Sequence, residues 1–398
     1  MIIANARVVT SSGIVKGGVA VKCGRIDEVF EGDAISIARS GWEEVINAKS
    51  RYLLPGLVDI HGDDLETEIS PRPFVRFPVS YALVNLDRKV AACGITTKLH
   101  AICNYEDELR GRDPERSKEI LETLSRLKDK LLVDHSIHAR CEIRNGMASV
   151  FDALDESSVK LISIMDHFPG QGQFRKYEHF KAYYAQAYGL DDEEIKDLVR
   201  RKSIPGRRDS LAKLLDKARQ KKIPIASHDD DTGEKVEAVH RVGARISEFP
   251  VTLEAAQRAK ELNMMVSMGA PNAIRGRSST GNLSALEAIE AGLVDILCSD
   301  YNPASMIYAP FLLAEKSIME LPAAVRMGSL HPARAMGIDK EVGSIEAGKR
   351  ADLIMVEKIG GIPVVVKTMV RGRVVFSAEH PPVENRIYEG GQTEAEAV

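Results

Sequence analysis

Histidines and acids recur where apolar runs end in this sequence, first in LPGLVDIHGDDLE, residues 54–66. That run closes on His61, Gly62, Asp63 and Asp64. Side chains two apart on a strand share a face, so His61 and Asp63 should project together, with Val58 and Ile60 on the packing side. An imidazole beside a carboxylate suits a divalent cation, because the nitrogen is a borderline donor and the carboxylate offsets charge. Alone, a His-x-Asp is more often a hydrogen-bonded strand end, so its meaning depends on what else reaches it.

Later runs supply partners at the same end. In SIHARCEI, residues 136–143, Ser136, His138, Arg140 and Glu142 share one parity, while Ile137, Ala139, Cys141 and Ile143 share the other. In a barrel covered by helices the polar parity must face the interior or the mouth. Glu142 is then a candidate ligand or base and Arg140 a candidate anion contact, with His138 read as structural. Asp166 and His167 precede the loop sequence FPGQGQ, and Ser227 and His228 precede Asp229 to Asp231. Glu248 ends a sixth run, and Cys298, Ser299 and Asp300 end an eighth. The seventh leads into MGAPNAIRGRSSTGN, residues 268–282, whose glycines, hydroxyls and arginines could hold phosphate oxygens, although a plain surface turn has the same composition. The basic segment 200–210 reads as a solvated helix boundary.

The elements that must position these groups follow from the pattern between them. Apolar runs alternate with helical stretches, and eight are strand candidates: 57–63, 95–103, 132–143, 160–167, 223–229, 245–249, 264–270 and 295–300. Residues 106–130 and 190–220, with shorter stretches near 254–262, 284–291 and 311–336, have amphipathic helix spacing. This predicts an α/β fold, a (β/α)8 TIM barrel over 53–343. Its functional groups belong at the strand C-terminal ends, where the polar residues collect. Residues 1–52 and 344–386 read as short strands and glycine turns from both termini, forming one small β-domain, with 387–398 a disordered tail. The 398 residues can bury such a core, and a formal charge of −4 with both signs dispersed gives no argument for nucleic acid. No run approaches membrane-spanning length, and no secretory signal opens the chain. Five scattered cysteines fit a reducing cytoplasm rather than a disulfide framework.

With the strand ends assembled, the chain resembles the amidohydrolase superfamily. LPGLVDIH and GSIEAGKRADLIMVE, residues 343–357, carry the likeness, and HGDDLE, HARCE, SIMDHFPGQGQF, ASHDD, SEFP, MGAPN and SDYNPAS are similar to its phosphonate-metabolism members. His61-x-Asp63 stands where most members read His-x-His, and Gly62, Asp64, Lys98 and His100 also depart from that subgroup's pattern. The resemblance implies a distorted barrel with a β-sandwich appendage. It implies a divalent metal, one or two ions, zinc first with manganese, iron or nickel as alternatives. The implied ligands are His61, Asp63, His167, His228 and Asp300, with Glu142 bridging or additional and Glu248 in reserve. Lys98, on the second strand, is not expected to be a carbamylated bridge. Asp300 and Glu142 are the implied catalytic groups, and Arg72, Arg140, Arg275, Ser278 and Asn282 the implied substrate contacts. The activity implied is hydrolysis of a ribosyl phosphonate triphosphate to its 5-phosphate and pyrophosphate, on a small phosphorylated sugar, in an enzyme compatible with homo-oligomer formation. Two other readings stay open: hydrolysis of a C–N bond in a cyclic amide or amidine, and a non-catalytic sugar-phosphate-binding barrel.

Overall fold

The computed structural model describes residues 1–32, 44–72, 75–103, 112–143, 157–202, 208–278 and 281–378. The expected disordered tail, the end of the C-terminal β-segment and the middle of the basic 200–210 segment lie outside the described residues.

Both termini build one mixed sheet. From the N-terminus come β1 (Ile2–Val9), β2 (Ile14–Lys22), β3 (Arg25–Glu31), β4 (Val45–Asn47) and β5 (Tyr52–Pro55). Eight barrel strands follow as β6 to β13, and β14 (Leu353–Ile359), β15 (Ile362–Val370) and β16 (Arg373–Ser377) complete the sheet. Its order is β16-β15-β14-β5-β1-β2-β3, with β4 beside β1. Three hairpins turn on residue pairs that both have positive φ: Cys23–Gly24, Gly360–Gly361 and Arg371–Gly372. That backbone matches the right-handed twist of the flanking strands, and glycine takes it at no steric cost. Ile3, Val19, Leu53, Leu353, Met355 and Val366 share one apolar cluster, so the sheet curls around its own core. Ile354, Val356 and Val365 instead join the apolar cluster of the barrel's helices, which fastens the sheet to the barrel.

The barrel strands are β6 (Leu57–Gly62), β7 (Ile95–Cys103), β8 (Asp134–Glu142), β9 (Val159–Met165), β10 (Ile225–His228), β11 (Ile246–Glu248), β12 (Met265–Gly269) and β13 (Ile296–Cys298). All pair in parallel and in chain order. Ile137, Ala139 and Cys141 pack outward in the helix-facing cluster, as the parity of β8 predicts. Val58, Ile60, Leu99, Leu161, Ala226, Ile246 and Ile296 meet in the middle, filling the barrel below its mouth. Val58 and Ile60 therefore face the interior, which corrects the expectation from simple alternation. Pairing of β6 with β7 is irregular between Asp59 and Gly62. The irregularity lets Ile60 and His61 both face inward at different heights.

Closure falls between the first and last strands. Gly62 and Asp300 form an isolated parallel bridge, with Asp300 N donating to His61 O at 3.0 Å and Asp63 N donating to Asp300 O at 2.8 Å. Behind this seam lies Lys98, fully buried. Its ammonium reaches Asp59 Oδ2 at 2.6 Å, Asp64 Oδ2 at 2.9 Å and Ser299 Oγ at 2.9 Å. A Cβ on residue 62 would lie 2.0 Å from Lys98 Nζ, so the lysine needs glycine there. No helix among the described residues is long and apolar enough to cross a membrane.

Removing one partner of a buried ion pair costs far more than the pair itself contributes, because the other charge is left unsolvated. Lys98→Met should lower unfolding free energy by about 3–5 kcal/mol in urea titrations. A loss below about 1 kcal/mol would mean that the two aspartates do not depend on the ammonium.

Candidate metal centre

Each group at the barrel mouth is aimed by the element that precedes it. Asp229, Phe249 and Asp300 follow the ends of β10, β11 and β13, and all three have left-handed backbones, with φ of 54, 51 and 55°. Their amides donate to the next strand around the barrel: Asp229 N to Glu248 O at 2.9 Å, Phe249 N to Ser267 O at 2.8 Å, and Asp300 N to His61 O at 3.0 Å. Such backbones cost about 1–3 kcal/mol each in a non-glycine residue and persist only where the surroundings enforce them. Below them, Asp230 Oδ2 accepts from Ser227 Oγ and Ser247 Oγ, both at 2.5 Å, tying β10 to β11.

The mouth opens into a cavity of about 320 Å³. His61, Asp63, Arg140, His167, His228 and Asp300 all line it, together with Asp229. The His61 and His228 rings lie 5.4 Å apart, and those of His167 and His228 5.5 Å apart. Glu142 stands just behind the wall, where its Oε2 meets His167 Nδ1 at 3.2 Å and accepts from the His167 amide at 3.2 Å. Asn272, Ser278 and Asn282 also line the cavity. Arg72 and Arg275, the other expected substrate contacts, are exposed and are not among the residues that line it. Arg275 ends a short helix, Ala270–Arg275, that begins directly after β12 with proline in its first turn. The segment expected as a phosphate loop is thus partly helical, and its residues 279–280 lie outside the described set.

Electrostatically the mouth is crowded with acids. Burial, and then the neighbouring Asp63, push the Asp300 carboxyl up to about 7. Burial raises Asp63 as well. Burial also works to raise Asp229, but His228 and His167 outweigh it and hold that carboxyl well below the usual range. Burial, followed by the Arg140 charge, keeps His61 far below the usual imidazole value and hence neutral. Arg140 Nη2 donates to His228 Nε2 at 3.1 Å, and His228 Nδ1 lies 3.3 Å from Asp229 Oδ2.

Among the described residues, two groups of three offer donor atoms within 4.8 Å of one another: His167, His228 and Asp229 at the mouth, and His61, His138 and Glu248 further in. Imidazole and carboxylate donors in such proximity fit a divalent transition metal, and Glu142 Oε1, buried without a hydrogen-bond partner, fits the same account. Asp229 was visible in the sequence only as one of three consecutive aspartates. What separates it from its neighbours is the left-handed turn after β10, which residue types do not disclose.

Comparison with known proteins agrees with this architecture. The profile of the amidohydrolase family matches residues 133–375. Over 371 residues, 90% of this chain and 95% of the relative, the sequence is 36% identical to alpha-D-ribose 1-methylphosphonate 5-triphosphate diphosphatase of Escherichia coli (strain K12). It is 24% identical over 399 residues to an adenine deaminase of Bacillus velezensis, covering 93% of this chain and 59% of that one. Two solved structures share the fold: dihydropyrimidinase from Brevibacillus agri, with a TM-score of 0.63 at 14% identity over 94% of this chain and 95% of that one, and N-acetylglucosamine-6-phosphate deacetylase from Pasteurella multocida, with 0.57 at 13% over 94% and 98%. By the span of the profile and the extent of the first likeness, the chain belongs to the amidohydrolase family of hydrolases.

Proposed function

We propose that the chain is a metal-dependent diphosphatase that hydrolyses α-D-ribose 1-methylphosphonate 5-triphosphate, or a close sugar triphosphate, to the 5-phosphate and pyrophosphate. The likeness to the Escherichia coli enzyme, which runs through almost the whole of both chains, supports the substrate. The observation that carries the reading is the cavity itself, whose lining combines one guanidinium, Arg140, and the polar side chains of Asn272, Ser278 and Asn282 with acids and imidazoles. Three lining carboxylates, Asp63, Asp229 and Asp300, would repel a triphosphate unless cations stood between them.

His61, Asp63, His167, His228 and Asp300 would hold the metal, with Glu142 as a bridging or additional ligand. A divalent cation there lowers the pKa of water and supplies positive charge opposite the phosphates. Asp300 orients the attacking water and takes its proton. Arg140 meets phosphate oxygens through its planar fork and stabilises charge as the bond between the first and second phosphates breaks. The departing pyrophosphate carries the bridging oxygen, and the water oxygen joins the phosphorus, so no carboxylate is phosphorylated. Ser278, Asn272 and Asn282, which line the same cavity, would receive sugar hydroxyls and the outer phosphates.

Incubation of the purified chain with a ribosyl 5-triphosphate and added zinc or manganese should release pyrophosphate. Turnover of a cyclic amide or amidine in its place would favour the C–N hydrolase, and protein purified without chelator that contains no transition metal and shows no turnover when metal is supplied would favour a binding barrel. Asp300→Asn should retain metal by plasma mass spectrometry while kcat falls about 10²–10⁴-fold. Full activity in that variant would remove Asp300 from proton transfer. Glu142→Gln should weaken metal binding about 10–100-fold in chelator competition, since it loosens the hold on His167.

A further inference from the structure

His138 and Glu248 are completely buried, and neither lines the cavity. The His138 Nδ1 atom lies 3.1 Å from the carbonyl oxygen of Ile60. A carbonyl can only accept, so Nδ1 carries the proton and Nε2 presents a lone pair. That lone pair faces Glu248 Oε2 at 3.6 Å, and both atoms are buried without a hydrogen-bond partner. The other carboxylate oxygen, Oε1, faces His61 Nδ1 at 3.3 Å. Two acceptors are therefore set against each other in the driest part of the site.

Something positive must lie between them, and three species could. A second proton on His138 would place a charged imidazolium in a fully buried position, and the 3.6 Å gap is longer than the roughly 2.7–2.9 Å of a charge-assisted N–H···O bond. A proton on Glu248 would need an O–H···N distance near 2.7–2.8 Å, well short of the 3.6 Å found. A metal ion fits the spacing, since bonds of about 2.0–2.2 Å place tetrahedral ligand atoms about 3.3–3.6 Å apart. Two imidazoles and one carboxylate are also the donor set of a borderline divalent ion.

We propose that His61, His138 and Glu248 hold a divalent transition-metal ion of their own, an inner site beneath the group formed by His167, His228 and Asp229. This rests on the metal-dependent reading above, assigns His61 to the inner ion rather than the outer one, and adds two ligands, His138 and Glu248. His61 is the member of the three that lines the cavity, so it is the point of entry to the inner site. With His138 and Glu248 fully buried and His61 2% exposed, against 12% for the His167 side chain, the inner ion exchanges more slowly than the outer one.

The test counts ions on the full-length chain. Protein purified without chelator, loaded with cobalt(II) and desalted should carry two ions per chain by plasma mass spectrometry. Glu248→Gln, close to isosteric, and His138→Ala should each carry one, with circular dichroism and thermal midpoint checking that they fold. His167→Ala should also carry one, and a soluble chelator should remove that ion more slowly than it removes the first ion from the unaltered protein. If the unaltered chain and Glu248→Gln carry the same non-zero number of ions, the inner site is wrong and Glu248 acts only by holding His61, while the outer metal reading stands. An unaltered chain that takes up no cobalt overturns both. Should His138→Ala misfold, Glu248→Gln decides the matter alone.

Discussion

Mutual repulsion among buried acceptors governs this molecule. Asp63, Asp229 and Asp300 converge on one cavity with a single lining guanidinium among the described residues. At close range in a poorly solvated cleft, like charges oppose one another by several kcal/mol. The fold holds them together regardless, and the consequence is visible in Asp300, displaced to about 7 by burial and by its neighbour. A protein gains nothing in stability from such an arrangement. Under the metal-dependent function proposed above, a cation bound among these acids and imidazoles would return what their assembly costs.

Rigidity at the mouth follows from the same need. The barrel closes through two backbone hydrogen bonds made by the residues that flank and include Asp63 and Asp300, so closing the wall and placing those two acids are one event. Lys98 reinforces it from behind by bridging Asp59, Asp64 and Ser299, two of which are sequence neighbours of the cavity acids. The lysine is thus a counter-ion in the wall rather than a participant in the cavity. Gly62 is its structural complement, leaving the space that the ammonium occupies.

Much of this was legible because strands in a covered barrel read as apolar runs with a polar end. Residues 95–103 could be bounded at both ends from sequence, and β8 announced its two faces through strict alternation. Alternation misled at Ile60 and His61, where the pairing slips, since a bulge leaves no compositional trace. Helices 79–92 and 177–188 escaped notice for different reasons. The first begins after a proline that reads as a breaker. The second buries aromatic residues, Phe180 and Tyr184, in a small core with Phe174, Ile195 and Leu198 that is separate from the barrel's own. Arg72 and Arg275 looked like anion contacts because their charge was right. Arg275 ends the helix Ala270–Arg275 and both side chains are exposed, which charge alone does not disclose.

Strand β5 lies between β1 and β14, so the terminal sheet is stitched across nearly the whole sequence. On the ribosome, the edge of β5 emerges roughly 300 residues before its partner, an interval of about 15–60 s at ordinary elongation rates. During that time an apolar strand edge stands open while the barrel is being threaded. A nascent chain in this state is a template for pairing with other nascent chains, and it invites chaperone occupancy until the last hairpin arrives.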